Sequence, residues 1–203
     1  MKRALIKSTI YVACLLFLAV TIVSYAFPFI DPIKYLSTIS SIAYLLILIY
    51  CKWGWRIHIG KLSFSPTPDL NGKWAVVIRY KNSEGNLLEK NCEAQIKQDL
   101  FGIQVNLKTN EISSHSICAE IIKDHEIQYL YYTYITDPTA EYRKNNPSQF
   151  GTAKIEIPEL DLKYSNKLDK TAKKKVQKME GDYWTNAQTS GRLIFEKQLI
   201  HKD

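Results

Sequence analysis

Residues 67–80 read TPDLNGKWAVVIRY, and the fold turns on how this stretch is read. From Trp74 it alternates with a period of two. Trp74, Val76, Ile78 and Tyr80 share one face, and Ala75, Val77, Arg79 and Lys81 share the other. Successive side chains of a strand leave opposite sides of the pleat, so such alternation marks a strand with one buried face.

The same signal recurs downstream. NSEGN (82–86) reads as a turn, after which Cys92, Ala94 and Ile96 alternate with Glu93, Gln95 and Lys97. Ile103, Val105 and Leu107 alternate with Gln104, Asn106 and Lys108. SHSICAEIIK (114–123) and EIQYLYYTYIT (126–136) are joined through Asp124 and His125. FGTAKIEI (150–157) follows, and LDLKY (160–164) either extends it or pairs with it. GDYWT (181–185) and GRLIFEKQL (191–199) form a last pair around NAQTS. About eight short strands joined by tight turns predict an all-β antiparallel meander, which avoids exposed edges most completely by closing into a barrel. Eight strands leave an interior for one small ligand or a packed core. Residues 166–180 break the pattern: Asp169 is placed to cap a short helix near 169–179, whose Lys173–Lys175 run reads as a solvated face or as a contact for lipid headgroups.

Upstream the chain changes character. STIYVACLLFLAVTIVSYAF (8–27) carries no charge, and IKYLSTISSIAYLLILIYC (33–51) carries only Lys34. Twenty helical residues span about 30 Å, the thickness of a bilayer's hydrocarbon core. Only PFIDP (28–32) separates the runs, and its two prolines turn the chain back. This predicts a transmembrane helical hairpin in a module of residues 1–61, followed by a barrel domain of residues 62–203. Lys2, Arg3, Lys7, Lys52, Arg56 and Lys61 flank the outer ends of the hairpin, whereas the loop balances Lys34 against Asp31. The positive-inside rule puts both termini in the cytoplasm. Trp53, Trp55, Tyr50 and Tyr35 fall at the helix ends, where amphipathic rings favour the interface. Ser37, Thr38, Ser40, Ser41 and Ala43 give the second helix either local hydroxyl back-bonding or a face for close helix approach.

Charge and cysteines exclude some functions. Residues 1–61 hold seven of the 27 basic residues and one acid, while residues 62–203 hold 20 basic and 19 acidic residues. The net charge of +7 therefore belongs to the ends of the apolar runs, and a polymeric nucleic-acid partner lacks its basic footprint. Cys14, Cys51, Cys92 and Cys118 lack zinc-site spacing and read as reduced apolar fillers. The four histidines are dispersed, so no metal site is expected. No G-x-S-x-G, P-loop or G-x-G-x-x-G occurs, and the chain does not read as an enzyme.

Aromatic and amide groups stand out instead. Tyr129, Tyr131, Tyr132 and Tyr134 place rings on both faces of one strand, and Tyr183, Trp184, Thr185, Asn186 and Gln188 cluster in one hairpin with Arg192 beyond. Rings that stack on bases, amides that read base edges and an arginine that meets phosphate describe a nucleotide pocket, although tyrosine is also simply a favoured strand residue.

Asp69-Leu70-Asn71-Gly72-Lys73-Trp74 resembles the opening of calycin barrels, where a tryptophan on the first strand plugs one end. The whole arrangement is similar to one family: a short basic N-terminus, two apolar helices, a proline-containing linker, DLNGKW, and the late GDYWT…TSGRLIF hairpin. This is the family of two-transmembrane β-barrel effectors of bacterial CBASS antiphage systems, encoded beside CD-NTase nucleotide synthases. The resemblance implies a cytoplasmic barrel that binds a cyclic di- or trinucleotide as activating ligand, self-association in the inner membrane, loss of membrane integrity and death of the infected cell, with no cofactor. It carries the ligand site onto Tyr183, Thr185, Asn186 and Arg192, and strand faces add Tyr80, Tyr132 and Tyr134. Two alternatives are a membrane-tethered calycin-like carrier of a lipid or other apolar ligand, with an interior of Val, Ile and Leu, and a structural anchor for a protein partner.

Overall fold

The computed structural model describes residues 36–56, 58–59, 62–63, 67–82, 84–144, 147–158 and 177–198, with single positions between 10 and 25. Two compact units emerge, one of residues 1–67 with 99–101 and one of residues 68–98 with 102–203.

In the first unit, helix α1 covers Leu36–Lys52, a 3-10 turn covers Gly54–Arg56, and β1 (His58–Ile59) pairs with β2 (Leu62–Ser63). The second apolar run is thus helical and ends one residue later than expected, with Lys52 in its last turn, where a cation complements the helix dipole. Among the described residues no helix is long and apolar enough to cross a membrane. The expected first helix (8–27) and the loop after it lie outside the described residues apart from single positions. One expectation is corrected here. Trp55 is not an interfacial ring but is 2% exposed, packed with Cys51 and Leu100, whose N–H donates to the Cys51 carbonyl at 3.1 Å. Trp53 is exposed, with the Lys52 ammonium 5.1 Å from its ring.

The second unit is a closed barrel of eight antiparallel strands: β3 (Gly72–Lys81), β4 (Leu87–Gln98), β5 (Ile103–Lys108), β6 (Ile112–Asp124), β7 (Ile127–Pro138), β8 (Phe150–Ile157), β9 (Lys178–Thr185) and β10 (Ser190–Lys197). Each pairs with the next, and β10 returns to β3, so no edge is left open. β9 begins three residues earlier than the sequence suggests, because Met179 keeps the inward phase and is buried opposite Phe195. Lys178 and Met179, the described end of the expected short helix, are therefore strand; the rest of that helix and the candidate strand at 160–164 lie outside the described residues. A bulge between Ser116 and Cys118 shifts the register of β6 and leaves Ile117 exposed. This is why SHSICAEIIK does not alternate cleanly.

The DLNGKW segment closes one end. Trp74 is fully buried, meets Phe195 edge-on with ring centroids 6.3 Å apart, and donates its Nε1–H to the Leu70 carbonyl at 3.0 Å. Gln98, the one buried polar side chain among the described residues, accepts from Leu70 N–H at 2.9 Å and donates to the Pro68 carbonyl at 3.0 Å. Asn71 extends the ladder with its side chain: Nδ2 donates to the Gln98 carbonyl and Oδ1 accepts from Gln98 N–H. Gly72 sits at φ +130°, a conformation that favours glycine, as the chain swings from this cap into β3.

Candidate functional site

The register divides the barrel along its axis. Towards the capped end Val76, Ile96, Val105, Leu130, Ile155 and Phe195 fill the interior as a core. Towards the other end the side chains do not fill it, and a cavity of about 180 Å³ remains. Cys92, Tyr132 and Leu193 lie next to the core, Tyr134 and Tyr183 form the wall, and Thr136, Gln149, Thr185 and Thr189 lie towards the strand ends.

A cross-strand row explains why room remains. Following register partners around the wall gives Tyr80, Gly191, Tyr183, Ala153, Tyr132 and Ala119. Large and small alternate, so each ring lies over a neighbour that has little or no side chain. Tyr134 repeats the device one row on, facing Gly151: a Cβ at residue 151 would come 2.4 Å from the ring's Cζ. At residue 191 a Cβ would fall 2.2 Å from the Arg79 carbonyl oxygen and 2.8 Å from the Tyr183 ring, so backbone as well as the ring requires glycine there. Rings pressed against the wall keep the lumen open and turn aromatic surface towards it.

The lumen is electrostatically quiet. Burial raises the Tyr132 phenol well above its ordinary range, with Tyr134 and Cys92 adding to the effect. Burial and then Tyr183 raise Tyr134, and burial and then Tyr80 raise Tyr183. Burial pushes the Cys92 thiol up to about 12 against a lowering effect of Lys90. All four are neutral near pH 7, so the phenols are available as O–H donors beside apolar ring faces. Tyr132 and Tyr134 have ring centroids 5.7 Å apart.

Among the described lining residues one side chain is charged. Lys90, in the inward phase of β4, ion-pairs with Glu111 in the turn between β5 and β6. Lys90 was not among the residues expected at the site, although it keeps the two-residue phase of Cys92, Ala94 and Ile96. A lysine on the buried face of a strand was the available signal.

The other expected residues separate. Tyr132, Tyr134, Tyr183 and Thr185 line the cavity together; Tyr80 is not among the lining residues, although it and Tyr183 both lie opposite Gly191. Thr185 bonds the Thr189 hydroxyl at 2.6 Å across the β9–β10 turn. Asn186 is exposed in that turn; its Oδ1 accepts from Phe150 N–H at 3.1 Å and its N–H donates to the Phe150 carbonyl, which extends the pairing of β8 with β9. Arg192 is not brought to the cavity. It has the outward phase of β10, beside Arg79 and Asp182 in the register, and pairs with Glu180 at 3.0 Å. Tyr129 and Tyr131 also face outwards, with the Lys154 ammonium 4.3 and 5.7 Å from their rings. Among the described residues no group of His, Cys, Asp and Glu has the arrangement of a metal site.

A family profile described as Cap15, cyclic dinucleotide receptor domain, matches residues 65–197, which span the whole barrel. The chain belongs to the Cap15 family. A Cap15 relative, CD-NTase-associated protein 15 of Staphylococcus schleiferi, is 33% identical over 196 residues, covering 95% of each chain. The Cap15 match carries the assignment as a CBASS effector, and no catalytic family accompanies it. The tyrosine-walled cavity thus lies within the matched receptor domain.

Proposed function

We propose that this chain is a membrane-anchored CBASS effector whose barrel takes up a cyclic dinucleotide through the end opposite the DLNGKW cap. The observation that carries the reading is the open half of the barrel: neutral tyrosines on glycine- and alanine-thinned walls with one cation, Lys90, among them. Base faces stack on Tyr132, Tyr134 and Tyr183. The phenol, threonine and Gln149 groups meet base and sugar edges, and Lys90 meets a phosphodiester. A near-neutral domain with one cation among the described residues lining its cavity suits a small dianion better than a polymer.

Occupancy acts on the membrane only if it favours one state of the chain over another. In this proposal the occupied barrel associates with other barrels, and tethering concentrates the apolar helices so that the bacterial inner membrane fails. The apolar sequence of residues 8–27 and the exposure of Ile42, Tyr44, Leu45 and Leu46 on α1 support a two-helix anchor with both termini in the cytoplasm. Calorimetric titration of the full chain in detergent with cyclic dinucleotides is expected to show saturable binding that Tyr183→Ala abolishes. Binding of fatty acids alone, or nucleotide binding indifferent to Tyr183, refutes the reading. The aliphatic part of the wall, Ile78, Leu107, Ile112 and Leu193, is what favours the apolar-ligand alternative, and the same titration separates the two.

A further inference from the structure

The ion pair at the edge of the cavity has the form of an occupied anion site. Lys90 is the charged member of an otherwise neutral lining, and the group that satisfies it is a carboxylate of its own chain. The two side chains are 31% and 36% exposed. A pair with that much water around it contributes little to stability, so its presence is not explained by the need to hold the fold.

The surroundings of Glu111 point the same way. Three hydrogen bonds fix the backbone of its turn. The Glu111 N–H donates to Thr109 Oγ1 at 3.2 Å, the neighbouring Ile112 N–H donates to the same oxygen at 2.9 Å, and the Glu111 carbonyl accepts from Thr139 N–H at 2.9 Å. The turn therefore keeps its shape whether or not the carboxylate is engaged. Releasing Lys90 requires only that the Glu111 side chain rotate outward.

We infer that Glu111 is an internal counter-ion that occupies Lys90 in the empty receptor and is exchanged for a phosphate oxygen of the ligand. The inference rests on the cyclic-dinucleotide reading of the cavity. Exchange has two consequences. An apolar ligand of the right shape leaves Lys90 with Glu111 and gains nothing from it, so the pair filters for anions. The carboxylate also competes with the phosphate, so the receptor's affinity is held below what the cavity alone provides. Glu111 thereby sets the ligand concentration at which the barrel fills.

The test is a double-mutant cycle on the full chain in detergent: wild type, Glu111→Gln, Lys90→Gln and the double variant. Each is titrated with cyclic di-AMP, cyclic di-UMP and cyclic GMP–AMP, and the tightest binder to wild type is compared across the set. Removing the competitor is expected to tighten binding about two- to fivefold. Removing the cation is expected to weaken it about tenfold or more. The double variant is expected to match Lys90→Gln within about twofold, because Glu111 acts only through Lys90. Unchanged or weaker binding by Glu111→Gln overturns the exchange. So does a gain of equal size in the double variant, which would mean direct repulsion of the ligand. Failure of wild type to bind any of the three overturns the underlying reading of the cavity, a result distinct from binding that is merely insensitive to Glu111. Thermal unfolding of all four variants separates either result from misfolding.

Discussion

Gly151→Ala tests whether the thinned wall is what makes the cavity. The new methyl carbon would lie 2.4 Å from Cζ, 2.5 Å from the hydroxyl oxygen and 2.9 Å from Cε1 of Tyr134, against an ordinary contact of about 3.5 Å or more. The ring must retreat by about 1 Å. It is 8% exposed and has the Tyr132 ring beside it, so the retreat goes into a packed neighbour or into the lumen. Overpacking of this kind costs about 1–3 kcal/mol, or about 4 °C in melting temperature for each kcal/mol in a domain of this size. Alanine is otherwise the better strand residue by about 0.5–1 kcal/mol. In a Tyr134→Ala background, where nothing stands over residue 151, the same substitution is therefore expected to be neutral or slightly stabilising. Urea and thermal unfolding of the four proteins, followed by near-ultraviolet circular dichroism of the tyrosines, measure the coupling. An equal loss in both backgrounds refutes the claim that the ring rests on the glycine. Gly181→Ala is the contrasting control: its Cβ would fall 2.0 Å from the Lys154 carbonyl oxygen, which is backbone, so truncating a side chain cannot relieve it.

Three other outcomes follow from the same geometry. Gln98→Leu strands the Leu70 N–H and the Pro68 carbonyl at the capped end, and chemical denaturation should register a loss of about 2–6 kcal/mol, two unmet groups at 1–3 each. Alkaline stability should fall in a defined order. Cys92 keeps its proton up to about 12 when folded but loses it near its ordinary value of 9.0 when unfolded, so its contribution is complete below pH 9 and declines from there, at up to about 1.4 kcal/mol per pH unit. Tyr132, Tyr134 and Tyr183, all raised, steepen the decline above pH 10, and Cys92→Ala should abolish the decline between pH 9 and 10 and lessen its slope from there to about pH 12, as read by unfolding at stepped pH. Arg192→Ala should leave cyclic-dinucleotide affinity within about threefold by titration, since the guanidinium pairs with Glu180 on the outside of the barrel; a tenfold loss would place it in the site after all.

Much of the barrel was legible along the chain because a strand's two faces are written locally. Trp74, Val76, Ile78 and Tyr80 announce their shared side without reference to any partner, and the short turns leave an antiparallel meander as the simplest connection. The same logic sorted Tyr132 and Tyr134 from Tyr129 and Tyr131. The plugging role of Trp74 was also readable, but the anchoring of Leu70 and Pro68 by Gln98 was not, since those bonds span 28 and 30 residues and depend on where β4 ends.

The site depended on register, which no local pattern contains. Arg192 and Tyr183 are close in sequence and point to opposite sides of the wall, because one residue of phase decides between lumen and solvent. Proximity along the hairpin suggested that they act together, and the pleat separates them. The bulge at Ser116–Cys118 shifts the phase within a single strand. The pairing of tyrosines with Gly151, Gly191 and Ala153 comes from three different strand contacts. The meeting of Lys90 with Glu111 across 21 positions requires the register of β4 against β5, which continues from Glu93 opposite Lys108. Alternation of polarity determined that there would be an inside; only the stagger of eight strands decided which side chains leave part of it empty, and which charge waits there.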